Sequence, residues 1–167
     1  MVHAMMALAA LLAQEKDNPQ FEAWKNFKPG SWVKHQMKME TGGQQIESET
    51  TTTLLEQTAE KIVVEVKNKM KVGGQTMEMP AQKQEITPAP DKAKQGEIKK
   101  EGDEEVQLNG KTYKCTVYSS TVTEGGQNMK GKFWISKDVP GGMVKGEFSG
   151  EQMPQPMKLT LMEFEKK

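Results

Sequence analysis

From Ser31 to the C-terminus, apolar residues recur at every second position, and the stretches that carry them are divided by glycine-containing joints. A period of two places successive side chains on opposite faces of a strand. Two-residue hairpins need positive φ at their central positions, which Gly, Asn and Asp tolerate. The joints are Thr41-Gly42-Gly43-Gln44, Val72-Gly73-Gly74-Gln75, Leu108-Asn109-Gly110-Lys111 and Glu124-Gly125-Gly126-Gln127. Each predicts a pair of antiparallel neighbours. Val139-Pro140-Gly141-Gly142 predicts a type II turn, with proline setting φ first and glycine supplying the positive φ that follows.

The strands are read in order. Val33, His35, Met37 and Met39 share one face of the first. Ile46, Ser48, Thr50, Thr52 and Leu54 share a face of the second, where a threonine run favours extended backbone. Ile62, Val64 and Val66 lead a third that continues to Met70 and Val72. A fourth runs from Met77 to about Ile86 in spite of Pro80, which marks it as an edge or bulged strand. Residues 87–105 hold Pro88, Pro90 and many charges with one large apolar residue, Ile98, and are expected to be a mobile charged loop or weak hairpin. Beyond it come strands around Tyr113, Cys115 and Val117, around Phe133 and Ile135, around Val144 and Phe148, and around Met157, Leu159 and Leu161. The expectation is mainly β: an antiparallel meander of about eight or nine strands forming a curved sheet or half-barrel. Residues 19–165 form one domain, a size that a single core of this length supports.

Before the strands the period is close to three and a half. Asn18 is placed to cap a helix starting at Pro19, with Phe21, Trp24 and Phe27 on one face and Pro29-Gly30 as its stop. Ahead of it, Ala4 to Ala13 is a short apolar run followed by Gln14-Glu15-Lys16-Asp17-Asn18. That pattern reads as a signal peptide over residues 1–13; only His3 stands where lysines or arginines belong and Leu11 holds the small-residue position before a cut after Ala13, departures that a clipped or misannotated start would explain. An ordinary buried or frayed helix is the competing reading. The run is too short to span a bilayer, which takes ~20 apolar residues. Localisation is accordingly read as periplasmic or secreted.

Composition excludes several function classes. The 23 basic residues, all lysines, equal the 23 acidic ones, so no net field draws in a phosphate backbone and no arginine fork reads one. No nucleic-acid partner is expected. Three Gly-Gly-Gln triplets resemble a peptide-release motif, but three copies between strands are turn chemistry. Nucleophilic catalysis has only Cys115, the hydroxyl residues, His3 and His35 to draw on, without a nucleophile elbow. The chain reads as no enzyme, and no cofactor is implied.

Methionine is abundant, with 13 copies, two pairs of them spaced Met-x-Met. Thioether side chains fill irregular cores and line adaptable apolar pockets. The expected ligand face comprises Phe21, Trp24, Met37, Met39, Val64, Phe133 and Trp134, and its partner is a lipid or another apolar small molecule. His35 with Met37 and Met39 is a weaker alternative, a site for Cu(I). Trp32 and Trp134 fall out of phase with their strands' apolar faces, so each either covers the opposite face or is exposed for binding.

The segment Lys130-Gly131-Lys132-Phe133-Trp134-Ile135-Ser136-Lys137-Asp138-Val139-Pro140-Gly141-Gly142-Met143-Val144-Lys145 resembles the last strand, turn and strand of uncharacterised exported bacterial proteins of planctomycete type. Gly110-Lys111-Thr112-Tyr113-Lys114-Cys115-Thr116-Val117-Tyr118 resembles the strand before them. The layout of leader, helix and meander is similar to the lipoprotein carriers LolA and LolB. That resemblance implies a half-barrel holding acyl chains on a concave face covered by helices. Those carriers commonly place an arginine in the cavity and this chain has none. The resemblance therefore implies an exported envelope protein binding an apolar ligand rather than lipoprotein transfer itself. A structural or interaction module with a closed core is the alternative.

Overall fold

The structure, a computed structural model, describes residues 18–41, 44–88, 97–124, 127–150 and 155–167. The leader expected over residues 1–13, and the glycine pairs at 42–43 and 125–126, lie outside the described residues.

Helix α1 (Pro19–Lys25) begins where the sequence places it, with the Asn18 side chain accepting from the Gln20 amide at 3.0 Å and proline in the first turn. Among the described residues ten strands follow: β1 (Trp32–Thr41), β2 (Gln44–Gln57), β3 (Ile62–Val72), β4 (Gln75–Glu78), β5 (Gln82–Ile86), β6 (Glu97–Leu108), β7 (Lys111–Glu124), β8 (Gln127–Ile135), β9 (Met143–Gly150) and β10 (Met157–Glu165). They form one sheet in the order β4-β3-β2-β1-β10-β9-β8-β7-β6, with β5 also on β3. Every pairing is antiparallel. The sheet is open. Its centre joins the first and last strands, β1 and β10.

Two expectations are corrected. The single strand from Met77 to Ile86 is divided. β4 pairs with residues 69–72 of β3 and β5 with residues 62–66, so the Met79-Pro80-Ala81 break, where proline has no N–H to give the ladder, splits one edge strand into two. Residues 97–105, expected within a charged loop, belong to β6, and residues 89–96 lie outside the described set. β6 is an edge strand whose Lys99, Lys100, Glu101, Asp103 and Glu105 are exposed, and it draws its ladder bonds from β7 on one side only. Charge on an edge is how sheets avoid pairing with another chain, which makes such a strand look like a loop in sequence.

The connectivity demands curvature. Laid flat, β5 and β6 would stand eight strand spacings apart, about 38 Å. Residues 87–96, fully extended, reach about the same distance. Their first two are already tied to the helix, the Thr87 and Pro88 carbonyls accepting from the Asn18 side chain and amide at 3.1 Å each.

Local chemistry explains the turns. Asn109 and Gly110 have φ of 52° and 74°, and Gly73 and Gly74 have 57° and 85°, the two successive positive values of a type I′ hairpin. Gly141 sits at 72° after Pro140, and the Gly142 amide closes that turn onto the Val139 carbonyl at 2.8 Å, as the type II expectation requires.

Candidate ligand-binding face

The core is split into two clusters, drawn from α1 and from strands on both halves of the sheet. At one end α1 lies over the sheet: Phe21, Trp24 and Phe27 join Val33, Leu54, Ile62, Val64 and Leu161 in one buried cluster. Burial of these rings is what holds a seven-residue helix in place, since helices this short are marginal alone. At the other end a second cluster gathers Met37, Phe133, Met143, Phe148, Met157 and Leu159, with Met39, Tyr118 and Ile135 against it.

A polar row separates the two ends on β1 to β3. His35 stands opposite Thr50, and Thr50 opposite Asn68. Thr50 Oγ1 donates to Asn68 Oδ1 at 2.7 Å. His35 is buried, and its Nε2 meets the Met143 carbonyl oxygen at 2.8 Å. A carbonyl only accepts, so Nε2 carries the proton. Burial lowers the imidazole pKa below its ordinary 6.5, with the Met143 bond opposing the shift.

Beyond that row, registers align apolar residues across the whole sheet, because residues directly opposite one another share a face. One row runs Met77, Met70, Ser48, Met37, Leu159, Gly146, Phe133, Tyr118 from β4 to β7. Alongside it lie Val72, Ile46 and Met39 at one end and Met157, Phe148, Gly131, Ser120 and Ile98 at the other. The two glycines have a packing reason. A Cβ on Gly131 would lie 2.6 Å from Phe133 Cζ, and one on Gly146 would lie 3.0 Å from Phe148 Cε2. Each phenyl ring therefore folds back over the glycine two residues before it, and the two rings meet edge to face at 5.2 Å.

The band is sealed at its centre and open at one side. Phe133 and Phe148 are buried, while Met39, Ile46, Met70 and Val72 are half-buried and Met77 is 54% exposed. Two buried hydroxyls, Ser48 Oγ and Ser120 Oγ, have no hydrogen-bond partner. The back of the same strands is charged, with Lys34 on Glu163 at 2.6 Å and Lys38 on Glu47 at 3.5 Å. A cleft of about 730 Å³ bordered by Gln36, Lys38, Lys158 and Thr160 reaches the band only at Met39.

Of the seven residues expected to line a ligand face, the fold brings Met37, Met39 and Phe133 into the methionine band. Phe21, Trp24 and Val64 fill the helix-covered end instead. Trp134 alternates to the other side of β8 from Phe133. Its Nε1 donates to Glu104 Oε2 at 2.7 Å, and Lys132 and Lys145 stand 4.7 and 4.3 Å from its ring centroid; it is covered, not displayed. Trp32 is half-buried and donates to Glu165. The copper alternative names His35, Met37 and Met39, which share one face of β1, and the chemistry of Nε2 leaves only Nδ1 with a lone pair. Sequence reasoning did not place Met143, Phe148, Met157, Ser48 or Ser120 at the site. Their strands were legible, but no local signal states that β10 pairs with β1.

Fold and face together define an open antiparallel sheet with a helix over one end of its inner face and a methionine-rich apolar band along the other. No protein-family model and no curated protein matches the chain. Among solved structures it is similar to a protein described as exported, with a YmcC-like fold, from Bacteroides fragilis: 8% identity over 84% of this chain and 97% of that one, with a TM-score of 0.49. A DUF1329 family protein from Desulfovibrio piger matches at 7% identity over 93% of both chains, with a TM-score of 0.28. A domain described as an outer membrane lipoprotein-sorting protein, from Vibrio parahaemolyticus, matches at 10% identity over 89% of both, with a TM-score of 0.26.

Proposed function

We propose that this is a non-enzymatic exported protein of the bacterial envelope that binds an apolar or lipid-like molecule along the methionine band. The observation that carries this reading is the apolar run from Met77 to Tyr118, broken by a hydroxyl only at Ser48 and half-exposed at its β3–β4 end. A continuous apolar surface left in contact with water marks a binding site more often than chance exposure does. Methionine suits the role because its unbranched side chain repacks around guests of different shape. Export follows the reading of residues 1–13 as a leader, and places the protein in the periplasm or outside the cell.

The states of the available nucleophilic groups support the non-enzymatic part. Burial, and then Glu104, push the Cys115 thiol up to about 11, far from the thiolate that attacks. The His35 Nε2 proton is committed to a carbonyl.

Native mass spectrometry of gently purified protein, followed by organic extraction, tests the reading. A co-purifying apolar molecule is expected, together with saturable uptake of diphenylhexatriene that Met39→Lys and Met70→Lys abolish. Protein free of any guest that also fails to take up the probe is a closed structural module, and the proposal is then lost.

A further inference from the structure

Ser48 and Ser120 are the polar exceptions in an otherwise apolar band. Ser48 stands between Met70 and Met37, and Ser120 between Ile98 and Gly131. They are 2% and 4% exposed, and neither hydroxyl oxygen has a partner. A buried hydroxyl left unpaired is costly, whereas alanine in its place carries no such penalty. Serine at both positions therefore weakens the ligand-free fold, and a guest that supplies the missing partner recovers that loss. A hydroxyl donates and accepts, so it pairs with an ester carbonyl, a carboxyl or another hydroxyl and gains nothing from pure hydrocarbon.

We propose that Ser48 and Ser120 are the specificity residues of the band, selecting an acyl compound with oxygen functions, such as an ester, over a hydrocarbon of similar size. This rests on the binding role proposed above. The two serines lie on β2 and β7, five strand spacings apart, or about 24 Å along the sheet. The buried Phe133–Phe148 pair lies between them, so a guest that reaches both displaces these rings, and the two contributions are separable. Ser48 stands in register between Met37 and Met70, and unbranched thioether side chains repack readily around a guest.

The experiment compares two fluorescent probes, cis-parinaric acid methyl ester and diphenylhexatriene, on the wild-type chain and on Ser48→Ala, Ser120→Ala and the double variant. Each single change is expected to weaken ester binding about fivefold, the value of one hydrogen bond, and to leave the hydrocarbon unaffected. Urea midpoints of the empty variants should be unchanged or higher. Equal effects on both probes, or no effect on either, overturn the assignment while leaving the apolar site intact. A variant less stable than wild type overturns it too, by showing that the hydroxyl holds a structural partner such as a buried water. If the wild-type protein takes up neither probe, the binding role and this assignment fall together.

Discussion

His35 Nε2 lies 2.8 Å from the backbone oxygen of Met143, joining β1 to the start of β9 across the strand between them, β10. The contact spans the gap where β9 and β10 cease to pair, since their ladder covers only residues 157–160 of β10. Burial of the same imidazole makes stability depend on pH. Burial holds the folded-state pKa below 6.5, so the unfolded chain binds the proton more readily. Stability is full above pH 6.5 and declines as pH falls toward the folded-state value, with a slope of at most about 1.4 kcal/mol per pH unit. Carboxylates such as Glu147, held below 4.5 chiefly by the Lys145 hydrogen bond, contribute only at lower pH. Urea midpoints between pH 6.5 and 5 should therefore fall for wild type and stay flat for His35→Leu; equal slopes would falsify the assignment.

Gly131 is held by the Phe133 ring. Alanine there forces the ring off its seat and should lower stability by ~1–3 kcal/mol, the usual cost of overpacking. Because the clash is between these two residues, Gly131→Ala in a Phe133→Leu background should cost much less. A double-mutant cycle measured by urea unfolding reads the coupling, and simple additivity would remove the explanation.

Asn109 does two things at the β6–β7 turn. Its backbone takes φ of 52°, and its Nδ2 donates to the Leu161 and Met162 carbonyls at 3.2 and 2.9 Å, capping a stretch of β10 that β9 leaves unpaired. Asn109→Gly keeps the turn and loses those bonds, for an expected ~1–2 kcal/mol. Asn109→Ala should lose about 1 kcal/mol more, the cost of a left-handed residue with a Cβ. Thermal unfolding of both variants separates the contributions, and equal losses would contradict the backbone half of the argument.

Cys115 is buried with its thiol at about 11. Ellman's reagent at pH 8 should leave the native protein nearly unreacted and titrate one thiol in guanidinium. Rapid modification of the native chain would mean that Cys115 does not sit in the buried cluster with Tyr113, Val117 and Trp134.

The sheet's elements were legible because alternation is a local property: the pleat forces Ile62, Val64 and Val66 to one side whatever lies around them. The helix was equally readable, since Asn18, Pro19 and the Phe21, Trp24, Phe27 spacing act within a few residues. Pro80 marks an edge feature in sequence, and the break it makes follows from the same missing N–H. β6 escaped notice because an edge strand hides its ladder bonds from composition: Glu97 to Glu105 is charged on account of where the sheet ends.

The amino-acid sequence by itself determined most of the strands, the turns at Gly73-Gly74, Asn109-Gly110 and Pro140-Gly141, and which side chains share a face within each strand, because those depend on bonded neighbours and glycine torsions. Only the tertiary structure decided that β1 and β10 meet at the centre of the sheet. That pairing lines Met37 up with Leu159, Gly146 and Phe133, and it sends Trp24 and Trp134 elsewhere. The physical reason is that register between strands distant in the chain is set by hydrogen bonding and burial over the whole sheet, which no local stretch of residues encodes.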